Sequence, residues 1–197
     1  MKQYYNIAAS LPFLSYDFDV YPTRQEFLER SLPWLDDDDS SVLEQLTAET
    51  DDFMLPTAVI ADVLPEYQEF ELLLRRRLAE SRAAVRQQEL DEHANGFDFS
   101  IYDSDVAQAV TEWSNQHNPL EAERQLDRAR WRKLDELQVG HYFDVRFLCI
   151  YAVKLLLLER NARFTREQGT ENFNSAYSTI WADIQQHVPK TESGANV

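Results

Sequence analysis

The hydrophobic positions of this chain concentrate in one nearly uninterrupted run. The segment FLCIYAVKLLLL, residues 147–158, contains a single charged residue, Lys154, and as a helix it would present apolar side chains on every side. A helix that is apolar all round is buried all round, so we predict a central helix over about 142–166. Lys154 should reach outward or pair with a carboxylate. The alternative is a helix with one side exposed for a partner.

This run does not predict a membrane span. A span needs about 18 or more consecutive apolar residues, whereas this run is bounded by Arg146 and Glu159 and interrupted by Lys154. The N-terminal sequence MKQYYNIAASLPFL lacks the apolar core of a secretion signal, because Asn6 and Ser10 interrupt it. We therefore expect a cytoplasmic protein with no direct membrane span.

The other hydrophobic positions recur mostly at helical spacing. The chain has only 4 glycines, and helix start and stop signals are frequent. The sequence therefore predicts an all-α fold, an elongated bundle of about six to seven helices around the one fully buried helix. The apolar stripes of the outer helices are Tyr67, Leu74, Leu78 and Val85; Val106, Ala109, Val110 and Trp113; and Phe173, Ala176, Tyr177, Ile180, Trp181 and Ile184.

Capping signals place the ends of these helices. Thr23 with Glu26 and Ser41 with Glu44 have capping-box spacing, which predicts short helices at about 23–32 and 42–49. Three further helices are predicted to start at Pro65, at a cap formed by Asp103 or Ser104, and at Asn118-Pro119. Helix stops are predicted at Asn95-Gly96, Gly140 and Pro189.

Composition divides the chain into three segments, which we expect to form one structural domain. Residues 1–62 are an acidic N-terminal segment with short helices packed on the bundle. Residues 63–190 form the helical bundle, and residues 191–197 form a disordered tail.

The net charge of −16 is unevenly distributed. Residues 1–71 hold 3 basic and 16 acidic side chains, so they contribute −13 of the total. Nucleic acids and anionic lipids are bound mainly by Lys and Arg, so neither is expected as a main partner. A basic protein surface fits this charge better.

Two charged patterns in the predicted bundle are interpreted without a catalytic or nucleic-acid-binding role. Asp127 with Arg130 and Arg132 with Glu136, three and four residues apart, predict a solvated helix face joined by weak ion pairs. The basic cluster formed by Arg75, Arg76, Arg77, Arg82 and Arg86 favours contact with the acidic first third, or with an acidic partner, over a nucleic-acid groove.

Catalytic and metal-binding patterns are nearly missing from the sequence. It has no Gly-rich phosphate loop, G-x-S-x-G elbow or paired C-x-x-C motif. Its single cysteine, Cys149, lies in the apolar run, which predicts a buried, inert thiol. Glu89 with His93 is the best metal candidate, although Leu90 stands where di-iron bundles have glutamate. We expect no catalytic site, cofactor or metal; the alternative is an enzyme in which Glu89 and His93 converge with ligands from a second helix.

The acidic run Asp36–Asp39 also lacks the pattern of a calcium site. An EF-hand loop needs alternating ligands, a central glycine and a terminal glutamate, which do not occur at that spacing. We interpret the run as an exposed acidic turn whose end favours the start of the next helix.

The N-terminal segment YYNIAASLP, residues 4–12, followed shortly by Asp17, carries a family resemblance. It resembles an uncharacterised bacterial family whose members accompany the subunits of V/A-type rotary ATPases. The resemblance implies a subunit in the place of the C subunit, also called d, an all-α connector between the rotating shaft and the proteolipid ring in the membrane. This chain is much shorter than the archaeal-type connector of three helical units and has no internal repeat, so a three-unit funnel is excluded.

The resemblance implies no catalytic residue, because a connector has none. The expected function is a non-catalytic, cytoplasmic subunit of an ion-translocating complex, associated with the membrane through shaft or ring subunits. The alternative is a free-standing acidic helical adaptor or regulator that binds another basic protein. The candidate interaction residues are Tyr4, Tyr5, Leu11, Pro12, Asp36, Asp37, Asp38 and Asp39.

Overall fold

The described part of the chain is entirely helical between its turns. A computed structural model describes residues 2–48, 57–86, 103–163, 177, 178, 180 and 181. In these residues there are eight α-helices, one 3₁₀-helix and no strand, which confirms the predicted all-α class. The elements are α1 (Tyr5–Ser10), α2 (Arg24–Ser31), the 3₁₀-helix (Leu32–Trp34), α3 (Asp37–Thr47), α4 (Thr57–Val63), α5 (Pro65–Arg86), α6 (Asp103–Ser114), α7 (Pro119–Gln138) and α8 (Val145–Arg163).

The chain divides into two compact units, Met1–Asn161 and Ala162–Val197. The first contains α1 to α7 and nearly all of α8. In the second, Tyr177 and Trp181 stack with their ring centroids 6.4 Å apart, and both side chains are exposed. The predicted stop at Asn95-Gly96, most of the predicted helix around 173–184 and the predicted tail at 191–197 lie outside the described residues. The predicted domain boundary after residue 62 stays a prediction.

Helix α8 contains the apolar run, as predicted, but it begins at Val145 instead of about residue 142 and is buried only in its middle, because Ala162 and Arg163 at its end are exposed. Ten of its side chains between Leu148 and Leu158 are buried, including those of Cys149 and Lys154. The Lys154 ammonium donates hydrogen bonds to the Asp135 carboxylate at 2.6 Å and to the Gln138 side-chain oxygen at 2.6 Å. Pairing with a carboxylate was one of the two expected outcomes, and it is confirmed.

The core around α8 is built from helices of both the N-terminal and the C-terminal parts of the first unit. Buried apolar residues from α1 to α5 pack with α8 in one cluster, represented by Ile7, Phe27, Leu43 and Leu64. The rings of Phe27 and Tyr151 stack with centroids 5.2 Å apart. A second cluster joins α5, α6 and α7 through Phe70, Leu73, Leu74, Leu78, Val106, Ala109, Leu126 and Ala129.

Three of the predicted helix starts are confirmed: α5 begins at Pro65, and the caps at Thr23 and Asn118 are both formed. The Glu26 backbone N–H donates to Thr23 Oγ1 at 3.2 Å, and the Thr23 N–H donates back to the Glu26 carboxylate at 2.9 Å, which completes the capping box. Asn118 caps α7 by accepting from the Leu120 N–H at 3.0 Å, with Pro119 at the first helical position.

The start predicted at Ser41 is wrong. Helix α3 begins at Asp37, and Asp36 is its N-cap, accepting a hydrogen bond from the Asp39 N–H at 3.0 Å. Asp37, Asp38 and Asp39 therefore form the first turn, where the positive end of the helix dipole favours carboxylates. Ser41 lies inside the helix and accepts a hydrogen bond from the Gln45 side chain.

Replacing Asp36 and Ser41 in turn should show which of them caps α3. We expect Asp36→Ala to lower the free energy of unfolding by about 1 kcal/mol, because it removes the N-cap acceptor. Ser41→Ala is the matched control and should change it by less than about 0.5 kcal/mol, since alanine is the best helix former. Urea denaturation followed by circular dichroism measures both. A larger loss for Ser41→Ala than for Asp36→Ala would contradict the assignment.

Candidate functional site

Tyr4 fixes the N-terminal segment to the rest of the unit. Its side chain is buried, and its hydroxyl donates a hydrogen bond to the Asp39 carboxylate and lies 3.4 Å from Asp36 Oδ2. Its backbone N–H donates to the carbonyl of Phe143, just before α8. Burial and the hydrogen bond to Asp39 raise the pKa of Tyr4 above its usual value, so the phenol stays a neutral donor.

Leu11 and Pro12 also attach this segment to the core. Leu11 is half-buried against the α8 cluster, and the Pro12 carbonyl accepts a hydrogen bond from the Tyr151 hydroxyl at 3.0 Å. Helix α1 ends at Ser10, as expected when a proline follows two residues later. Of the four candidates in this segment, Tyr5 and Pro12 are exposed, and Tyr5 alone offers an aromatic ring to a partner.

The four aspartates of the acidic run divide into two pairs. Asp36 and Asp39 are half-buried and already engaged: Asp36 caps α3 and pairs with Lys2, and Asp39 accepts from Tyr4. Asp37 and Asp38 are exposed. Only the second pair can meet a partner without disturbing the fold.

Four exposed aromatic side chains lie around Tyr4, whose hydroxyl contacts Asp36 and Asp39. We call them the aromatic row: Trp34, Tyr5, Phe143 and Tyr142, with exposed fractions between 38% and 57%. The Tyr5 and Phe143 ring centroids are 4.7 Å apart, and those of Phe143 and Tyr142 are 6.4 Å apart. Trp34 joins the row through a shallow pocket of about 150 Å³, which is lined by Gln3, Tyr4, Tyr5, Asn6, Ile7 and Trp34.

Three members of the aromatic row were missed in the sequence. Trp34 lies in a short 3₁₀-helix before the acidic run, and Tyr142 and Phe143 lie in the turn between α7 and α8. The available signal was weak: Trp34 follows Pro33, and Tyr142 and Phe143 follow Gly140, so each is a large aromatic close to a turn-forming residue.

A second set of side chains forms a buried charge network between α5, α7 and α8. The Arg130 guanidinium donates to both carboxylate oxygens of Glu71, at 2.9 and 3.0 Å, and to Asp127 at 2.9 Å. Arg160 donates to Asp127 at 3.2 Å, and Arg75 lies 3.1 Å from Glu71. Glu71, Asp127 and Arg130 are all buried. The predicted solvated face for Asp127 and Arg130 is therefore wrong, because α5 and α8 cover it.

The charges in this network compensate one another. Burial alone would raise the pKa of Glu71, but Arg130 and Arg75 outweigh it and hold the pKa below its usual value. For Asp127, burial outweighs Arg160 and Arg130, and the pKa is raised. We interpret the network as structural, since each carboxylate is matched by an arginine.

The described residues contain no group of three or more His, Cys, Asp or Glu side chains placed to hold a metal. Glu89 and His93, the candidate metal pair, lie outside these residues. Cys149 is buried, and burial raises the pKa of its thiol to about 12, so it is not a nucleophile at neutral pH.

Among the helices in the described ranges, none combines the length and apolar character that crossing a bilayer requires.

Breaking the buried charge network should lower the free energy of unfolding much more than breaking a surface ion pair. We expect Arg130→Met to lower the free energy of unfolding by roughly 3–5 kcal/mol, because Glu71 loses its main buried partner. Arg132→Met, which removes an exposed pair with Glu112, is the control and should cost under about 1 kcal/mol. The double variant Glu71→Leu with Arg130→Met should be more stable than Arg130→Met alone. A near-neutral Arg130→Met in urea denaturation would contradict the buried network.

The same network predicts a pH dependence. Because the folded-state pKa of Glu71 is lowered, the stability it contributes is present above its ordinary value of 4.5 and is lost as the pH falls below it. The stability difference between the wild type and Glu71→Gln should therefore be largest near neutral pH and shrink on acidification. Denaturation of both proteins across this pH range measures it. A difference that grows on acidification would contradict the lowered pKa.

Comparison with known proteins gives one partial match. Residues 94–184 match the family described as "Protein of unknown function (DUF2764)". No curated protein and no solved structure matches the chain significantly. The matched range includes α6, α7, α8 and the residues Tyr142 and Phe143, and it ends before the C-terminal thirteen residues of the sequence, 185–197. The chain is thus similar to this family over the C-terminal half.

Proposed function

We propose that this chain is a non-catalytic subunit of a V/A-type ATP synthase or ATPase, in the place of the C/d connector between the shaft and the membrane ring. The observation that carries the proposal is the exposed surface next to the family-like segment at residues 4–12. There, Tyr5 of that segment lies beside other exposed aromatics and an acidic helix start, an arrangement suited to touching another protein. The resemblance of the segment supplies the identity of the complex.

The internal construction supports a mechanical role. A connector must hold its shape while it transmits torque, so its helices have to be fixed to one another. Arg130 joins α7 to Glu71 of α5, and Arg160 of α8 joins Asp127 of α7, while Arg24 of α2 pairs with Glu159 of α8 at 2.5 Å. Close packing with directional ion pairs resists sliding between helices.

The charge distribution supports a basic partner. The first 71 residues contribute −13 to the net charge, and Asp37 and Asp38 are exposed within them. In this proposal they face a basic shaft tip or basic cytoplasmic loops of the ring. The protein would then be cytoplasmic and bound to the membrane peripherally, through the complex.

The runner-up is a free-standing acidic adaptor that binds another basic protein. The same acidic surface supports it, and no feature of the fold requires a rotary complex. Co-purification separates the two functions, because only the connector should be recovered with shaft or ring subunits.

The test uses the tagged full-length chain expressed in its native cells. Membranes are solubilised in mild detergent at low salt, and the recovered subunits are quantified by mass spectrometry. We expect shaft and ring subunits with the wild type, and at least several-fold less with Asp37→Lys/Asp38→Lys, because the reversal replaces attraction with repulsion. Asp36 and Asp39 are left unchanged, since both support the fold.

The control variant is Glu44→Lys/Glu69→Lys, which reverses two exposed glutamates outside the acidic run. It should retain near-wild-type recovery, and salt above the physiological range should weaken the wild-type interaction through screening. Recovery of no rotary-ATPase subunit would overturn the proposal. Equal recovery with both reversal variants would remove the acidic contact. Stoichiometric iron, manganese or zinc in the purified protein would favour an enzyme instead.

A further inference from the structure

The aromatic row has the properties of a site for cationic side chains. Its four rings are exposed and adjacent, and aromatic faces attract guanidinium and ammonium groups within about 6 Å of the ring centre. The fold already shows this type of contact elsewhere: Arg128 lies 5.5 Å from the Tyr16 ring centroid, and Lys154 lies 5.3 Å from that of Trp131. Among the described residues, no arginine of the chain itself makes a cation–π contact with a ring of the aromatic row.

The charge beside the row favours a cationic partner over an apolar one. Trp34 is followed within four residues by the exposed Asp37 and Asp38. An apolar partner covering the row would desolvate these carboxylates without compensating them, which is unfavourable. A guanidinium can stack on a ring and donate two hydrogen bonds to a carboxylate, so arginine satisfies both features at once.

We propose that the aromatic row, together with Asp37 and Asp38, docks an arginine-bearing segment of a partner protein. The inference deepens the proposed function, on which it rests for the identity of the partner, by naming the surface and the chemistry it recognises. Tyr5 and Trp34 supply stacking faces around the shallow pocket, Phe143 and Tyr142 extend them, and the two aspartates set the sign of charge. Tyr4, Asp36 and Asp39 hold the surface in place from beneath.

Binding of defined peptides to the isolated full-length protein tests the site. The probe is a short arginine-rich peptide; the comparison peptides replace every arginine with lysine or with glutamine. Binding is followed by NMR of ¹⁵N-labelled protein through the tryptophan indole resonances. The chain has 4 tryptophans, so the Trp34 signal is assigned with a Trp34→Phe variant. We expect the arginine peptide to shift the Trp34 signal, the lysine peptide to bind more weakly, and the glutamine peptide not to bind.

Paired variants test the contribution of the rings. Tyr5→Ala/Trp34→Ala should weaken binding of the arginine peptide about tenfold, which is the combined size of two exposed cation–π contacts. The control is Phe13→Ala/Phe18→Ala, which removes a second pair of exposed rings that does not line the pocket, and it should change binding less than about twofold. The wild-type Trp34 shift stands as evidence even if the first variant folds poorly.

The outcomes separate this inference from the proposed function. An unshifted Trp34 signal at saturating arginine peptide, equal binding of the glutamine peptide, or equal weakening by both alanine pairs would overturn the docking site. Wild-type recovery of rotary-ATPase subunits by Tyr5→Ala/Trp34→Ala would also overturn it while leaving the proposed function intact. Conversely, arginine-peptide binding at Trp34 in a protein that recovers no such subunits supports the site and overturns the proposed function.

Discussion

Burial of the middle of α8, from Leu148 to Leu158, is the constraint on which the rest of the first unit depends. A helix with apolar side chains on all sides is stable in water only if other elements cover each side. Here, short helices from the N-terminal part cover it through Ile7, Phe27 and Leu43, and α7 contributes Trp131 and Leu134. The small helices of the acidic segment are therefore part of the core, although the sequences of α2 and α3 are mostly polar.

Because α8 is packed against other helices, its charged side chains make ion pairs with residues of those helices. Lys154 is accommodated because its ammonium reaches Asp135 and Gln138 on α7 while its stem remains among apolar side chains. Arg160 and Glu159, at the other end of the helix, make ion pairs to α7 and α2. These ion pairs and hydrogen bonds are directional, so they constrain the rotation of α8 about its axis in addition to its apolar packing.

The sequence predicted those features that local patterns determine. The apolar run, the Thr23 capping box and the Asn118-Pro119 start each depend on residues within a few positions of one another. The prediction at Ser41 was wrong because two capping signals compete there, and the aspartates combine an N-cap with three favourable first-turn charges. The buried network was not predictable in this way, because Glu71 and Arg130 are 59 residues apart. Only the packing of α5 against α7 brings them together.

The candidate surface likewise combines features set by local sequence with features set by contacts between distant segments. Charge predicted exposure of the whole acidic run, and this holds for Asp37 and Asp38 only. The placement of Tyr5 against Phe143 requires the loop before α8 to meet the N-terminal segment. Sequence pattern therefore identified the acidic component and missed most of the aromatic one. Whether either binds a partner remains a prediction.

The bond between the Tyr151 hydroxyl and the Pro12 carbonyl has a consequence for synthesis of the chain. The two residues are 139 positions apart, and the N-terminal segment leaves the ribosome first. At translation rates of about 5–20 residues per second, roughly 7–28 seconds pass between the synthesis of Pro12 and that of Tyr151. Until then, the apolar side chains that this segment packs against α8, such as Ile7, lack their native cover.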